Sequence, residues 1–207
     1  MRKLIVAAFT SLDGVMQAPG GPDEDRDGGF AHGGWVFPHW DDQIGEFMDG
    51  MFDRSFDLLL GRRTYDIFAG HWPRAPEDDP IGGVFNRITK YVATSSPDTL
   101  AWEPSVALTG DVVAAVAALK AGDGPDLLTQ GSSELLHALF AAGLVDELRL
   151  LTFPVLLGGG KRWHDDASAA TTWETVSSSV SSSGVVMTVH RPRGPVSTGS
   201  FALPEDA

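Results

Sequence analysis

The sequence predicts an α/β fold built on one mixed, mostly parallel sheet that ends in an antiparallel hairpin. Three observations carry this. Residues 4–9, 56–60 and 127–129 are short, nearly continuous apolar runs, the pattern of strands buried on both faces. Helical patterns alternate with such runs as far as residue 153, as parallel strands joined by crossover helices require. Beyond that point the helical period stops, and residues 173–180 and 185–190 read as two strands of a hairpin.

The elements follow in order. Residues 4–9 form the first strand. Residues 13–40 show no period and read as a long loop, rich in Gly, Pro, Asp and aromatics. A loop of that length inside a compact domain is either functional or disordered, and its aromatics Phe30, Trp35, Phe37 and Trp40 argue against disorder. Asp41 or Asp42 then caps a helix whose apolar face is Ile44, Phe47, Met48, Met51 and Phe52. Residues 56–60 are a second strand, which Gly61-Arg62-Arg63-Thr64-Tyr65 turns into a short helix. Residues 71–86, with three prolines and an acidic cluster, read as a loop. Strands over 91–94 and 106–109 flank a turn at Ser95-Ser96-Pro97. Asp111 caps a helix over 112–120 that Gly122 ends. The strand at 127–129 feeds a helix that begins at Gly131-Ser132-Ser133, runs through Phe140 and closes at Gly143. A strand over 147–153 precedes the final hairpin. The chain shows neither repeats nor a linker. It reads as one domain over residues 1–191 with an irregular tail over 192–207.

Composition narrows the function. The 207 residues hold 15 Lys+Arg against 28 Asp+Glu, a net charge of −13. Such a surface repels phosphate backbones, which argues against nucleic acid and anionic membranes as partners but leaves room for a small anion in a local basic pocket. Without Cys there are no disulfides, thiolate metal sites or thiol nucleophiles. The six His have no metal-ligand spacing, and His137 reads as a satisfied histidine at the core boundary, so no metal site is expected. No apolar run reaches the roughly 18 residues of a membrane span. The opening MRKLIVAAFTSLDG breaks too early for a signal peptide, so a cytoplasmic location is the default.

The usual nucleotide fingerprints are missing. Gly158-Gly159-Gly160 lacks the third glycine and the helix of a dinucleotide loop, and Gly160-Lys161 is followed by Arg162 rather than Ser or Thr. These glycines read as a structural bulge. A ligand site is expected instead beyond the carboxyl ends of the parallel strands, where Ser11 to Gly14, Gly61 to Thr64 and Gly131 to Ser133 lie. Arg62 and Arg63 open a helix, where cations oppose the dipole, so an anion that uses both the helix N-terminus and a bidentate guanidinium explains them; pairing with Asp57 or Asp66 is the other reading. Gly131-Ser132 reads either as a pyrophosphate seat or as an ordinary capped helix.

These segments carry a resemblance. Val6-Ala7-Ala8 with Ser11-Leu12-Asp13-Gly14-Val15, Leu59 to Tyr65, Lys90 to Ser96, Gly131-Ser132, and Val145 to Leu150 running into Pro154 to Gly160 follow one another over residues 1 to about 190. In this order the sequence resembles the dihydrofolate reductase-like family, in the branch of the reductase domain of the bacterial riboflavin-biosynthesis deaminase-reductase. The resemblance implies a three-layer α/β/α fold and an NADPH-dependent oxidoreductase that transfers hydride to a small pteridine-like or aminopyrimidine-like heterocycle. It implies that Ala8, Ser11, Asp13 and Gly14 lie at the nicotinamide. It also implies that Gly61, Arg62, Arg63 and Thr64, with Thr94, Ser95 and Ser96, hold the 2′-phosphate and pyrophosphate, and that Gly131, Ser132 and Ser133 face the middle of the cofactor. Asp41, Asp42 and Glu46 at the first helix are the carboxylates to test as proton donors, their other reading being a cap and a solvated face. Trp35, Phe37 and Trp40 either stack on a planar substrate ring or are buried over the sheet edge. Loop 15–40 is the expected lid, and a homodimer is the expected assembly. A non-catalytic binder of a nucleotide or pterin-like ligand, or a reductase using a flavin-type carrier, is the alternative.

Overall fold

The computed structural model describes residues 1–76 and 78–201. The tail from 202 onward lies outside the described residues. The elements are β1 (Leu4–Thr10), α1 (Asp42–Phe52), β2 (Phe56–Gly61), α2 (Arg62–His71), α3 (Pro80–Arg87), β3 (Lys90–Ala93), β4 (Ser105–Leu108), α4 (Val112–Ala121), β5 (Asp126–Thr129), α5 (Ser133–Ala141), β6 (Glu147–Thr152), β7 (Thr171–Val180) and β8 (Val186–Pro195). They form one eight-stranded sheet in the order β4-β3-β2-β5-β1-β6-β8-β7. The strands from β4 to β6 are parallel, and β8 and β7 are antiparallel additions at one edge.

Alternation along the central strands sorts the helices into two layers. Ile5, Ala7, Leu58 and Leu60 point to one face and pack with Ile44 and Met48 of α1, Tyr65 of α2 and Phe85 of α3. Leu4, Val6, Leu59 and Leu127 point to the other and pack with Val116 of α4 and Leu135, Leu136 and Leu139 of α5. All of β2 is buried, its apolar run interrupted only by Asp57, whose carboxylate is paired with Arg2.

Two local departures from the sequence reading have physical causes. Part of the loop expected over 71–86 is the helix α3. Asp79 Oδ1 accepts hydrogen bonds from the Ile81 and Gly82 N–H groups, and Pro80 occupies the first helical position, so strong capping offsets the low propensity of Gly82-Gly83. At the other end, β8 continues through Pro195, past the tail boundary expected at 192. Pro192 is tolerated because β6 pairs with β8 only as far as His190, leaving residues beyond it bonded to β7 on one side.

Buried charges lock the frame. Lys90, fully buried, donates to the carbonyls of Phe85, Asn86 and Glu103 and lies 4.4 Å from the centroid of the Trp102 ring. Burial pushes its amine down to about 8. Glu147 is paired with Arg149 and Arg191 under the β6–β8 edge.

Candidate functional site

A cavity of about 1210 Å³ opens where β1, β2 and β5 end, and Ala8, Gly61 and Gly131 all line it. Its floor depends on close backbone approach. The Gly61 N–H points to the Gly131 carbonyl at 3.5 Å, and Thr64 Oγ1 lies 3.1 Å from Ser132 Oγ. A Cβ on Gly61 would come within 2.8 Å of Ser132 Cβ, and one on Gly131 within 2.9 Å of Thr64 Oγ1, so neither position has room for a side chain. The Gly131–Ser132 peptide is cis.

Across this contact two helices begin side by side. Arg62, Arg63 and Thr64 open α2, Ser133, Glu134 and Leu135 open α5, and all six line the cavity. Neither helix has a side-chain cap, whereas α1, α3 and α4 are capped by Asp41, Asp79 and Asp111. Uncapped first turns leave N–H groups that suit an anion.

The two arginines diverge. Arg62 grips Asp66 through Nε at 2.9 and 3.0 Å and also reaches Thr99 Oγ1, the Ser96 carbonyl and Thr94 Oγ1. Arg63 turns the other way, 2.7 Å from Asp25 and 3.8 Å from Asp27 in the long loop. Lys161 completes this cluster at 2.8 Å from Asp25 and 2.9 Å from Asp27. Asp25 is only 7% exposed. Burial alone would raise its carboxyl, but the Lys161 hydrogen bond and the nearby Lys161 and Arg63 charges hold it below the usual carboxylate range. Gln17 ties the same loop down, donating to the Asp25 and Asp27 carbonyls and accepting from the Lys161 N–H.

Glu24, also at the cavity, accepts from the Gly20 and Gly21 N–H groups. Burial, and then the charge of Asp25, push its carboxyl up, and the two N–H groups only partly oppose this.

The structure therefore gathers Ala8, Gly61, Arg62, Arg63, Thr64, Gly131, Ser132, Ser133, Phe37 and Trp40 around one cavity. Other expected site residues lie elsewhere. Ser11, Asp13 and Gly14 do not line it. Ser11 Oγ donates to Asp13, whose carboxylate accepts from the Leu157 and Gly158 N–H groups, so this turn fastens the 154–163 segment. Thr94 and Ser96 sit behind Arg62 rather than in the cavity wall, and Ser95 is exposed beside them. Asp42 and Glu46 are exposed on the outer side of α1 and do not line the cavity; the capping residue is Asp41. Trp35 is a core residue, 7% exposed, edge-on to Phe153 and donating to the Gln17 carbonyl. His137 is satisfied by the Arg162 carbonyl and Asp165. Among the described residues no His or acid cluster is arranged to hold a metal.

Sequence reasoning missed Asp25, Lys161, Gln17 and Glu24. The DEDRD run at 23–27 was the available signal for the acids, but nothing local links it to Lys161, 136 residues from Asp25.

An open sheet covered by helices on both faces, with a cleft over its parallel strand ends and uncapped helix starts facing it, defines an α/β fold of the ligand-binding kind. The chain belongs to the RibD C-terminal domain family, whose model matches residues 2–187. It is 24% identical over 196 residues to the uncharacterized protein YyaP of Bacillus subtilis (strain 168), covering 93% of this chain and 96% of that one. Among solved structures it is similar to a putative riboflavin biosynthesis protein from Shewanella sp. PV-4, with a TM-score of 0.60 at 20% identity over 92% of this chain and 99% of that one. It is also similar to the dihydrofolate reductase of Enterococcus faecalis complexed with NADP(H) and RAB-propyl, with a TM-score of 0.58 at 17% identity over 92% and 96% of the two chains. The dihydrofolate reductase-like fold expected from the sequence is thus the fold found. Among the described residues no helix is long and apolar enough to cross a membrane.

Proposed function

We propose that the protein is an NADPH-dependent reductase that passes a hydride to a small planar acceptor, with the pteridine-like and aminopyrimidine-like heterocycles as the first class to test. The observation that carries the reading is the pair of uncapped helix N-termini, α2 and α5, meeting across the Gly61–Ser132 contact with Arg62 at their side. Dinucleotide phosphates suit free N–H groups and a guanidinium, and the absence of side chains on Gly61 and Gly131 lets a ligand approach the backbone closely.

NADPH bound there supplies the hydride. The chain's residues bind, orient and exclude water. Arg62, backed by Thr94 and Ser96, takes the 2′-phosphate. The first turns of α2 and α5, with Thr64, Ser132 and Ser133, take the pyrophosphate. Ala8 lies at the end of β1 for the nicotinamide. Arg63, engaged with Asp25 and Asp27, joins the loop to α2 and serves closure. The 2′-phosphate discrimination accordingly moves from the arginine pair to Arg62 alone. Within this reading the protein is cytoplasmic. It forms a homodimer through the outer edge of β7, which is exposed from Glu174 to Val180; a monomer in analytical ultracentrifugation would overturn that part.

The test is calorimetric titration with NADPH and NADH. Wild-type protein is expected to prefer NADPH, and Arg62→Gln to lose about 1.5–3 kcal/mol for NADPH and little for NADH, the range of a charge-assisted hydrogen bond. Equal losses for both would remove the 2′-phosphate assignment. Tight NADPH binding with no turnover on any acceptor would favour a non-catalytic binder, a reading supported by the absence of α1 carboxylates from the cavity. Binding of a flavin in place of NADPH would favour the flavin-type carrier.

A further inference from the structure

Among the described residues six carboxylates line the cavity, and four of them face a cation. Asp23 pairs with Arg26, Asp25 and Asp27 with Lys161, and Asp66 with Arg62. Glu134 lies exposed in the first turn of α5, at the positive end of the helix dipole. Glu24 alone has neither a cation nor a helix start among the described residues. It is half-buried, and both hydrogen bonds to its carboxyl go to one oxygen. Oε2 accepts from the Gly20 N–H at 2.6 Å and from the Gly21 N–H at 3.1 Å, while Oε1 has no partner among the described residues. That pattern fits a neutral carboxyl group, with Oε2 as the carbonyl oxygen and the proton on Oε1. Burial and the charge of Asp25 favour the same form over the carboxylate.

The loop holds this group beside the end of β1. Gln17 donates to the Asp25 and Asp27 carbonyls just after it. The Gly34 and Val36 N–H groups donate to the Ala18 and Pro19 carbonyls just before Gly20. Phe37 and Trp40 follow at the cavity mouth, and Trp40 lies edge-on to Phe9 with 6.0 Å between ring centroids. Phe9 is the residue after Ala8, where we place the nicotinamide. His71 is the other titratable group on the cavity wall without an ion-pair partner among the described residues. It sits exposed at the far end of α2, about 13 Å along the helix from Arg62.

We propose that Glu24 is the proton donor of the reduction, passing the proton on Oε1 to the nitrogen or oxygen of the acceptor's C=N or C=O bond. This rests on the reductase reading and supplies the acid that α1 does not. As hydride reaches the acceptor carbon, the π pair of the double bond moves to the heteroatom and takes up that proton. The Glu24 O–H bond breaks, and its electron pair stays on Oε1. The acceptor gains one hydride and one proton, and NADPH is oxidised to NADP⁺. The Gly20 and Gly21 N–H groups stabilise the carboxylate left behind, and solvent at the exposed Gly20 returns the proton.

Glu24→Gln keeps an oxygen for the Gly20 and Gly21 N–H groups but has no acidic proton. Oxidation of NADPH by 7,8-dihydropterin, a pteridine with a reducible ring C=N bond, is followed across the neutral pH range with the full chain. In wild type kcat is expected to fall as pH rises past the carboxyl's titration. In Glu24→Gln kcat at neutral pH is expected to drop at least about tenfold, with KM within about threefold and no break in the pH profile. A smaller loss, or a break that survives, overturns the proposal. His71→Gln is expected to keep the break, and its disappearance there assigns the acid to His71 instead. Carbon-13 NMR of carboxyl-labelled glutamate, with Glu24→Gln identifying the resonance, reads the group without turnover. Glu24 is expected to titrate above the ordinary glutamate value of about 4.3, and titration at or below it overturns the proposal. The two readings fail separately. NADPH binding without turnover by wild type returns the cavity to the non-catalytic reading and removes the donor with it, whereas turnover unaffected by Glu24→Gln removes the donor alone.

Discussion

Replacing Asp25 with Asn tests whether the long loop is held to the sheet by charge. Asp25 is buried, and it binds Lys161 at 2.8 Å and Arg63 at 2.7 Å. Breaking a fully buried pair costs about 3–5 kcal/mol, and an exposed pair contributes about 0–1. This cluster lies between those limits. The Lys161 and Arg63 side chains remain 30% and 52% exposed, and Asp27 stays 2.9 Å from Lys161 to compensate. Asn keeps the shape and one acceptor oxygen. The expected loss is about 1–2 kcal/mol, which for a chain of this size lowers Tm by roughly 2–8 °C. The pH dependence has a definite sign. The folded carboxyl titrates below its unfolded value, because Lys161 and Arg63 overcome the effect of burial. The stabilisation is therefore full above the unfolded carboxylate value of about 4 and is lost as pH falls through the lower folded value. Thermal melts followed by circular dichroism at pH 7 and below pH 4 check this. A shift under about 1 °C at pH 7, or a gap that stays the same in acid, would refute electrostatic tethering of the loop.

Gly61→Ala should cost about 1–3 kcal/mol by overpacking against Ser132, and adding Ser132→Gly should restore most of it; urea melts of both variants show whether the contact is the cause. Lys90 is expected to make the wild-type protein gain stability as pH rises from about 8 toward 10.5, because its buried amine releases a proton in the folded state before the unfolded chain does. Lys90→Met should flatten that rise in urea melts taken across the range. Glu24 carries the opposite sign from Asp25: its folded carboxyl titrates above the unfolded value, so ionising it costs stability as pH rises from about 4. Glu24→Gln should match wild type at pH 4 and exceed it at pH 7, and equal stability at pH 7 would contradict the burial of that carboxyl.

How far the fold could be read depended on how local its signals were. The central strands were legible because a buried parallel strand needs a nearly continuous apolar run, and residues 56–60 supply one broken only at Asp57. The helix at Val112–Ala121 was legible because Asp111 and Gly122 mark both its ends. The helix at Pro80–Arg87 was hidden because Gly82 and Gly83 lower propensity, while the compensation comes from the side chain of Asp79 and from burial of Phe85. Trp35 illustrates a different gap. Composition places aromatics in the loop, but only the three-dimensional path decides that Trp35 turns into the core on Phe153 while Trp40, five residues later, remains half exposed.

The same contrast explains the electrostatics of the site. The basic pair at Arg62-Arg63 was visible because two cations at a helix start in a strongly acidic chain are conspicuous. Their separate roles were not, because each is set by a distant partner: Arg62 by the turn at Thr94–Thr99, and Arg63 by Asp25 in a loop some forty residues before it. A chain with a net charge of −13 can keep a phosphate-type seat only by arranging charge locally. In the proposed reading that arrangement is one arginine, held by Asp66 and by the turn at Thr94–Thr99, beside two helix starts left without side-chain caps. The second arginine, with Lys161, neutralises the acids of the loop that crosses the opening. Removing Asp25 therefore tests closure and removing Arg62 tests anion recognition, and the two variants should fail in different assays. If Asp25→Asn instead abolished NADPH binding while leaving Tm unchanged, the loop acids would belong to the cofactor seat itself, and the division of labour between the two arginines would be wrong.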